Sequence, residues 1–379
     1  MCGIFVSYGP DVNFLKNKEL TNMLYHRGPD NQENHKIDDE LIFGHTRLSI
    51  IDLNKTSNQP FRDGYSVILF NGMIYNFMEI KKQLKSKYNF KTNSDTEVIS
   101  AAYKNWGESC FEHLNGMFSI VIYDIKKKKI IIARDRLGIK PLYFRKIKKN
   151  YYFSSEIKPL LKLASYSQNL NTVYNYFKYS FYENKNDTFF KEIKQILPGH
   201  YYTLKNNKFT SIKNYWKLED KLKATRKIFS INEAKEIFKE EFERIKKYYI
   251  RSDKEIGLLY SSGLDSNFIL NLFNQEKNNI SLLLTFGFKA KNIEDEIGYL
   301  QNNSIKNFNY KFSIDELLTN AQNVQLEQEM PWGGPNVFFQ GALLQKAKKL
   351  DHRVVLSADG ADEIFGGYDK YLNINKISS

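Results

Sequence analysis

The stretches that most restrict this fold are short, rich in β-branched and aromatic residues, and apolar on both faces: YSVILF (65–70), FSIVIYD (118–124) and KIIIARD (129–135). A strand with no face to offer water must be covered on both sides. GIFVSY (3–8), LIFGHTRLSIIDL (41–53), PLYFRKI (141–147) and NYYFSS (150–155) continue the pattern to about residue 200, with turn signals between them. KELTNMLYHRG (18–28) and DTEVISAAYKNWG (95–107) carry helical spacing, so a layered α+β domain of sheets covered by helices is expected. LPGHYYTLKNNKFTSIKNYWKLED (197–220) reads as a closing hairpin and a polar stretch, which sets a domain boundary near 220.

Past that boundary the texture changes. INEAKEIFKEEFERIKKYYI (231–250) is an amphipathic helix; strands and helices then alternate through EIGLLYSS, NFILNLFNQE, ISLLLTFGF, FFQGALLQKAKKL and HRVVLSADG. That rhythm implies a parallel sheet with crossover helices, an α/β domain whose ligands sit outside the carboxyl ends of the strands. The 379 residues thus divide into domains 1–220 and 221–379.

Composition narrows the partners. No run reaches the roughly 18 uninterrupted apolar residues needed to span a bilayer. MCGIFVSYGPD has neither the basic n-region nor the apolar h-region of a leader, so a cytoplasmic protein is expected. Two cysteines, Cys2 and Cys110, are too few for a disulfide framework. The net charge of +13 raises nucleic acid as a partner, but the lysines are scattered. Their densest run, DIKKKK (124–129), lies between two apolar stretches as a hairpin tip does, so nucleic acid is not the expected partner.

Several stretches could carry chemistry. SSGLDS (261–266) follows a strand and enters a helix, where small residues and a helix N-terminus can hold an anion; a plain strand-to-helix turn explains it too. SADGADEIFGGY (357–368) brings Asp359, Asp362 and Glu363 to the end of another strand, as Mg²⁺ ligands or as a helix cap with acidic first-turn residues. NGMIYN (71–76) offers an asparagine and a glycine N–H of the kind an oxyanion hole uses, though Asn-Gly is also the strongest short hairpin signal. HTRLSI (45–50) supplies Arg47, able to fork onto a carboxylate, and SDTEV (94–98) reads as a capping box with Ser94 or Asp95 as the cap. Removal of Met1 from MCGIF would place the Cys2 thiol beside its own α-amine, a base whose ordinary pKa is about 7.7–8.0. Nucleophile and base would then share one residue, whereas composition alone favours a small buried cysteine in a first strand.

Taken in order, MCGIF, HRGPD (26–30), HTRLSIID (45–52), FNGMIYN (70–76), SDTEV, LNGMFSIVIYD (114–124) and ARDRLGIKPLY (133–143) resemble the glutaminase domain of the glutamine-hydrolysing asparagine synthetases. YSSGLDS, TFGF (285–288), the acidic pair of NIEDE (292–296) and SADGADEIFGGY resemble the ATP-pyrophosphatase domain of the same family. The resemblance implies a four-layer αββα sandwich of the N-terminal nucleophile hydrolase type, followed by a Rossmann-like parallel-sheet domain. It implies a glutamine-dependent, ATP-consuming amidotransferase: glutamine hydrolysed at Cys2, and ammonia delivered to an acyl-AMP made from aspartate. Asn71 and Gly72 then match the oxyanion hole, and Arg47, Leu48, Ser49, Ile50, Ile51, Met73 and Asp95 the glutamine-binding positions. Arg47 would meet the α-carboxylate and Asp95 the α-ammonium. In the second domain Tyr260, Ser261, Ser262, Gly263, Leu264, Asp265, Ser266, Phe286, Ser357 and Ala358 match ATP-binding positions. Asp359 matches a position tied to acyl-adenylate formation, and Asp265 and Asp362 the ligands of Mg²⁺ accompanying ATP. A homodimer is compatible with the resemblance.

The sequence also departs from the family. Met73 replaces the glutamate of NGEIYN, predicting weak glutamine binding with free ammonia as the better donor. Ser262 stands where SGGLDS has glycine, and SADGADE replaces SGEGSDE. EMPWGGPN (329–336) differs from asparagine synthetases, which tend to carry an acid before this proline-rich turn and another after it, and the difference leaves a carboxylated sugar as the alternative acceptor. The chain ends soon after GGY where relatives continue, so the second domain is expected to be incomplete; a non-catalytic protein with a decayed second half is the rival reading.

Overall fold

The apolar runs pair into two six-stranded antiparallel sheets. In chain order the strands are β1 (Gly3–Tyr8), β2 (Asn31–Asp38), β3 (Leu41–Arg47), β4 (Phe61–Arg62), β5 (Ser66–Ile74), β6 (Gly116–Asp124), β7 (Lys129–Arg134), β8 (Tyr143–Ile147), β9 (Asn150–Ser154), β10 (Ile193–Gln195), β11 (His200–Lys205) and β12 (Lys208–Asn214). The first sheet runs β10-β8-β9-β1-β3-β2 and the second β12-β11-β7-β6-β5-β4. The computed structural model describes residues 1–180, 186–223, 230–274, 280–286, 305–310, 313–331, 334 and 336–369. It divides into two units, Met1–Phe229 and Ser230–Ser379.

The two sheets of the first unit pack face to face. Ile4, Val6, Leu41 and Phe43 of one meet Val67, Leu69, Val121 and Ile132 of the other in a single buried cluster. The alternate residues of the second sheet, Ile68, Phe70, Ile120 and Ile122, turn outward onto the helices Phe77–Leu84 and Asp95–Trp106. Phe5, Tyr143 and Ile193 of the first sheet turn outward onto Leu20 and Leu24, around the helix Phe14–Asn22, and Leu160 of Ile157–Leu161. Helix, sheet, sheet and helix make the expected four layers, and strands buried on both faces are its cause.

Local readings fare unevenly. DIKKKK is a hairpin tip, with β6 ending at Asp124 and β7 starting at Lys129. The helix expected within 18–28 lies earlier, Phe14–Asn22, because Asn13 caps it by accepting from the Lys16 N–H at 2.9 Å. Ser94 does cap Asp95–Trp106, but there is no capping box. Glu97 instead turns to the Lys91 and Thr92 N–H groups, at 2.9 and 2.6 Å, which anchors the loop before the helix. Asn71-Gly72 is not a hairpin turn: both residues lie inside β5, paired with Ser119 and Phe118 of β6.

The second unit has a parallel sheet of β13 (Ile256–Leu259), β14 (Ile280–Phe286), β15 (Lys306–Tyr310) and β16 (Val354–Leu356), in the order β15-β14-β13-β16. Leu258 and Leu283 face Leu270 and Phe273 of the helix Leu264–Asn274, while Leu282 and Leu284 face Leu343 and Ala347 of Asn336–Lys349. Covered on both faces, it is the expected Rossmann-like layer. The strand order reverses between β13 and β16, which is where such sheets bind ligands. No helix among the described residues is long and apolar enough to cross a membrane.

Candidate active site

In the first unit the site grows out of strand alternation. Ile4, Val6, Leu41, Phe43, Val67, Leu69 and Val121 face the space between the sheets. Period two carries that inner face onward to His45 and Arg47 on β3, Asn71 and Met73 on β5, Ser119 on β6, and Cys2 just ahead of β1. The apolar core therefore ends in a layer of polar side chains. His45, Arg47, Asn71 and Ser119 are all buried there.

Cys2 is held through its neighbours. Its Sγ accepts from the Leu48 N–H at 3.4 Å and lies 3.8 Å from the Leu48 carbonyl. Its own carbonyl accepts from Arg27 Nε at 3.0 Å, and Arg27 Nη1 donates to Glu156 Oε1 at 2.9 Å. Burial alone would raise the Glu156 carboxyl, but His26 at 2.8 Å and Arg27 hold it down to about 2, keeping a fixed anion behind the N-terminus. Met1 is exposed as a residue, but its α-amine is pushed down to about 5, by local burial first and then by Arg27 and Lys140. Burial and Arg27 likewise lower Lys140, to about 8. Among the described residues Lys140 Nζ and Arg27 Nη2 reach the Met1 Sδ, at 3.2 and 3.9 Å, a weak acceptor for two cations.

Asn71 is buried, and neither its Oδ1 nor its Nδ2 has a partner among the described residues. An unpaired buried amide costs about 1–3 kcal/mol, which makes this side chain a ready site for a ligand's polar group. Gly72 must be glycine, because a Cβ there would fall 2.0 Å from the Met117 carbonyl oxygen. β4 pairs β5 only at Val67 and Ile68, so the farther part of β5 has an open side. The Phe70 N–H on that side goes to Gln59 Oε1 at 2.6 Å, and the Ile74 N–H to Asp95 Oδ2 at 3.1 Å. Alternation places the Gly72 N–H between them, also on the open side. Asn71 and Gly72 thus offer a side-chain amide and a backbone N–H on neighbouring residues, donors of the kind that can stabilise an oxyanion.

Arg47 and Asp95 stand as opposite buried charges nearby, each affecting the other's protonation. Arg47 Nη1 donates to the Asn54 carbonyl at 2.9 Å and Asn58 Oδ1 at 2.7 Å, and Nη2 to the Asp52 carbonyl. Among the described residues, two of its five N–H groups are left without a hydrogen bond and can receive a carboxylate. Asp52 closes the same loop by accepting from Ser57 Oγ at 2.7 Å and the Asn93 N–H at 2.8 Å, which ties Arg47 to the segment entering Asp95. Leu48, Ser49, Ile50, Ile51 and Met73 are half-buried.

In the second unit the two motif loops leave adjacent strands. β13 and β16 pair Ile256 with Val354 and Leu258 with Leu356, so SSGLDS and SADGADE emerge side by side from their carboxyl ends. Ser262 takes φ +55°, the left-handed region that glycine occupies at no steric cost. Ser266 Oγ stitches the loop, accepting from the Ser261 N–H at 3.3 Å and donating to the Gly263 carbonyl at 3.1 Å. Asn267 links the loop to Tyr260 by accepting from its hydroxyl at 2.6 Å and donating to the Ser262 carbonyl at 3.1 Å; Leu264 is exposed. Asp359 accepts from Ser357 Oγ at 2.8 Å and Gln340 Nε2 at 3.1 Å, and Ala358 is half-buried beside it. The helix Ala361–Phe365 starts at Gly360 without a side-chain cap, so Asp362 and Glu363 are first-turn residues and Asp359 is not their cap. Phe286 ends β14. No group of three His, Cys, Asp or Glu that could hold a metal occurs among the described residues, where Asp265 and Asp362 lie in the first turns of separate helices. The acidic pair of NIEDE and Trp332, Gly333 and Pro335 of EMPWGGPN lie outside the described residues.

Sequence reasoning missed Gln59, His45, Glu156 and Lys140. Each acts across the fold on a motif residue or on Met1, and no local pattern marks such a contact.

Residues 1–216 match the family model of a glutamine amidotransferase domain, and residues 238–378 that of asparagine synthase. The glutamine-hydrolyzing asparagine synthetase 1 of Bacillus subtilis is 30% identical over 93% of this chain and 56% of that protein. A putative glutamine-hydrolyzing asparagine synthetase 2 of Methanocaldococcus jannaschii is 31% identical over 98% of this chain and 76% of its own length. Amidase chry2 of Gibberella zeae is 28% identical over 92% of this chain and 54% of that protein. The chain thus spans little more than half of the first and third of these relatives. With both halves matched in order by the two domain models, the chain belongs to the glutamine-hydrolysing asparagine synthetase family.

Proposed function

We propose that the chain hydrolyses glutamine at Cys2 and uses the ammonia, with ATP, to amidate a carboxylate. The observation that carries this reading is the buried, unpartnered amide of Asn71, next to the open-side N–H of Gly72 on the inner face that Cys2 shares. With Met1 removed, the Cys2 α-amine takes the thiol proton and Sγ attacks the side-chain amide carbon of glutamine. Asn71 Nδ2 and the Gly72 N–H stabilise the oxyanion, the amine passes its proton to the leaving nitrogen, and ammonia departs. Water then cleaves the thioester to glutamate. Arg47 receives the α-carboxylate and Asp95 the α-ammonium of the substrate.

On the second unit the side-by-side loops Ser261–Ser266 and Ser357–Asp362 hold ATP, and Asp265 or Asp362 would meet a Mg²⁺ that neutralises its phosphate charge. The substrate carboxylate attacks the α-phosphorus and PPi leaves. Ammonia displaces AMP from the acyl-AMP, out of reach of competing water. Aspartate is the proposed acceptor, giving asparagine. The departure of EMPWGGPN, which has Glu329 before the turn and no acid after it within those residues, supports a carboxylated sugar as the second reading. ATP–PPi exchange on the full chain separates them: dependence on aspartate is expected, dependence on uronic acids alone selects the sugar, and no exchange with either overturns ligase activity.

A further inference from the structure

We propose that His45 and Gln59 are positioning residues for the oxyanion-binding Asn71–Gly72 pair, clamping both peptide groups of Phe70 from the open side of β5. This rests on the glutaminase reading above. The Phe70 N–H donates to Gln59 Oε1 at 2.6 Å, and His45 Nε2 lies 3.3 Å from the Phe70 carbonyl oxygen. A carbonyl only accepts, so Nε2 carries the proton and the tautomer is set. Burial holds the imidazole neutral, lowering its pKa to about 3 with help from Arg47 and against the Phe70 hydrogen bond. A neutral ring at every working pH is suited to a fixed geometric task and unsuited to proton transfer.

The two clamps reach in opposite directions. His45 belongs to β3, two residues before Arg47, and so ties β5 to the facing sheet. Gln59 Nε2 also donates to Thr96 Oγ1 at 3.4 Å, next to Asp95 at the start of Asp95–Trp106. Both substrate-charge positions and the oxyanion donors thus share one hydrogen-bonded frame. The frame is needed where it occurs, because β4 stops short and no strand among the described residues pairs that side of β5 at Phe70. A donor moved by about 1 Å can cost a hundredfold in rate.

The test compares His45→Leu, His45→Gln and Gln59→Leu in the full chain by two readouts. One is steady-state glutamine hydrolysis. The other is alkylation of Cys2 by iodoacetamide, a displacement of iodide that forms no oxyanion. Positioning predicts that both leucine variants lose at least about tenfold in kcat, with KM and the alkylation rate within about twofold of wild type. His45→Gln, whose amide N–H can still reach the Phe70 carbonyl, should recover most of the loss. Unchanged kcat in both leucine variants overturns the inference, as does a parallel fall in alkylation, which would mark a structural role. If His45→Leu does not fold, Gln59→Leu and His45→Gln carry the comparison. A wild type that alkylates at Cys2 but never turns over glutamine overturns the glutaminase reading itself and removes the inference with it.

Discussion

Burial drives the Asp95 carboxyl up to about 6, although the Ile74, Asp95 and Thr96 N–H groups and Arg47 all favour its anion. A folded pKa above the unfolded value means this group adds stability below about pH 4 and withdraws it as pH rises through about 6. If the anion receives the glutamine ammonium, KM for glutamine should rise as pH falls through about 6. Asp95→Asn should raise KM at pH 8 and abolish that break, while making the chain more stable at pH 8. A break that survives the substitution would place the titration elsewhere. Met73 lies near the end of β5, opposite Met117, where the family's glutamate would supply a charged hydrogen bond of about 1.5–3 kcal/mol. Met73→Glu is expected to lower the glutamine KM by about tenfold or more; equal KM values in a glutaminase assay would show that position 73 does not hold substrate.

At the scale of elements, the loop after β13 carries the clearest conflict between sequence and backbone. Ser262 holds φ +55°, a conformation costing a non-glycine residue about 1–2 kcal/mol. Ser262→Gly should therefore stabilise the second unit by about 1 kcal/mol, seen as a higher thermal midpoint, and tighten ATP binding. A lower midpoint would mean that the serine side chain supports the loop. Strands such as β1, β6 and β7 were legible because they are apolar on both faces. β2, NQENHKID, was not, because an edge strand without apolar alternation pairs through its backbone alone. Asn71-Gly72 misleads for the opposite reason: its turn propensity is overridden by pairing on β6 and by the contact that excludes a Cβ.

Across the whole molecule, two units with different sheet logic share one chain. The first is antiparallel and four-layered; the second is parallel and covered on both faces. Both architectures were legible, because burial patterning is written along each strand. The site was legible only where a motif holds its residues in one stretch, as HTRLSI and NGMIYN do. Its framework was not, since Gln59, His45, Glu156 and Lys140 reach their targets through tertiary contacts. Cys2 can act as the N-terminal nucleophile only once Met1, whose thioether faces two cations, is removed. Intact-mass analysis after expression and treatment with a glutamine analogue that alkylates the thiol tests this directly. Met1 removed and a single adduct on Cys2 are expected; a chain retaining Met1, with Cys2 unmodified, would contradict glutamine hydrolysis at Cys2.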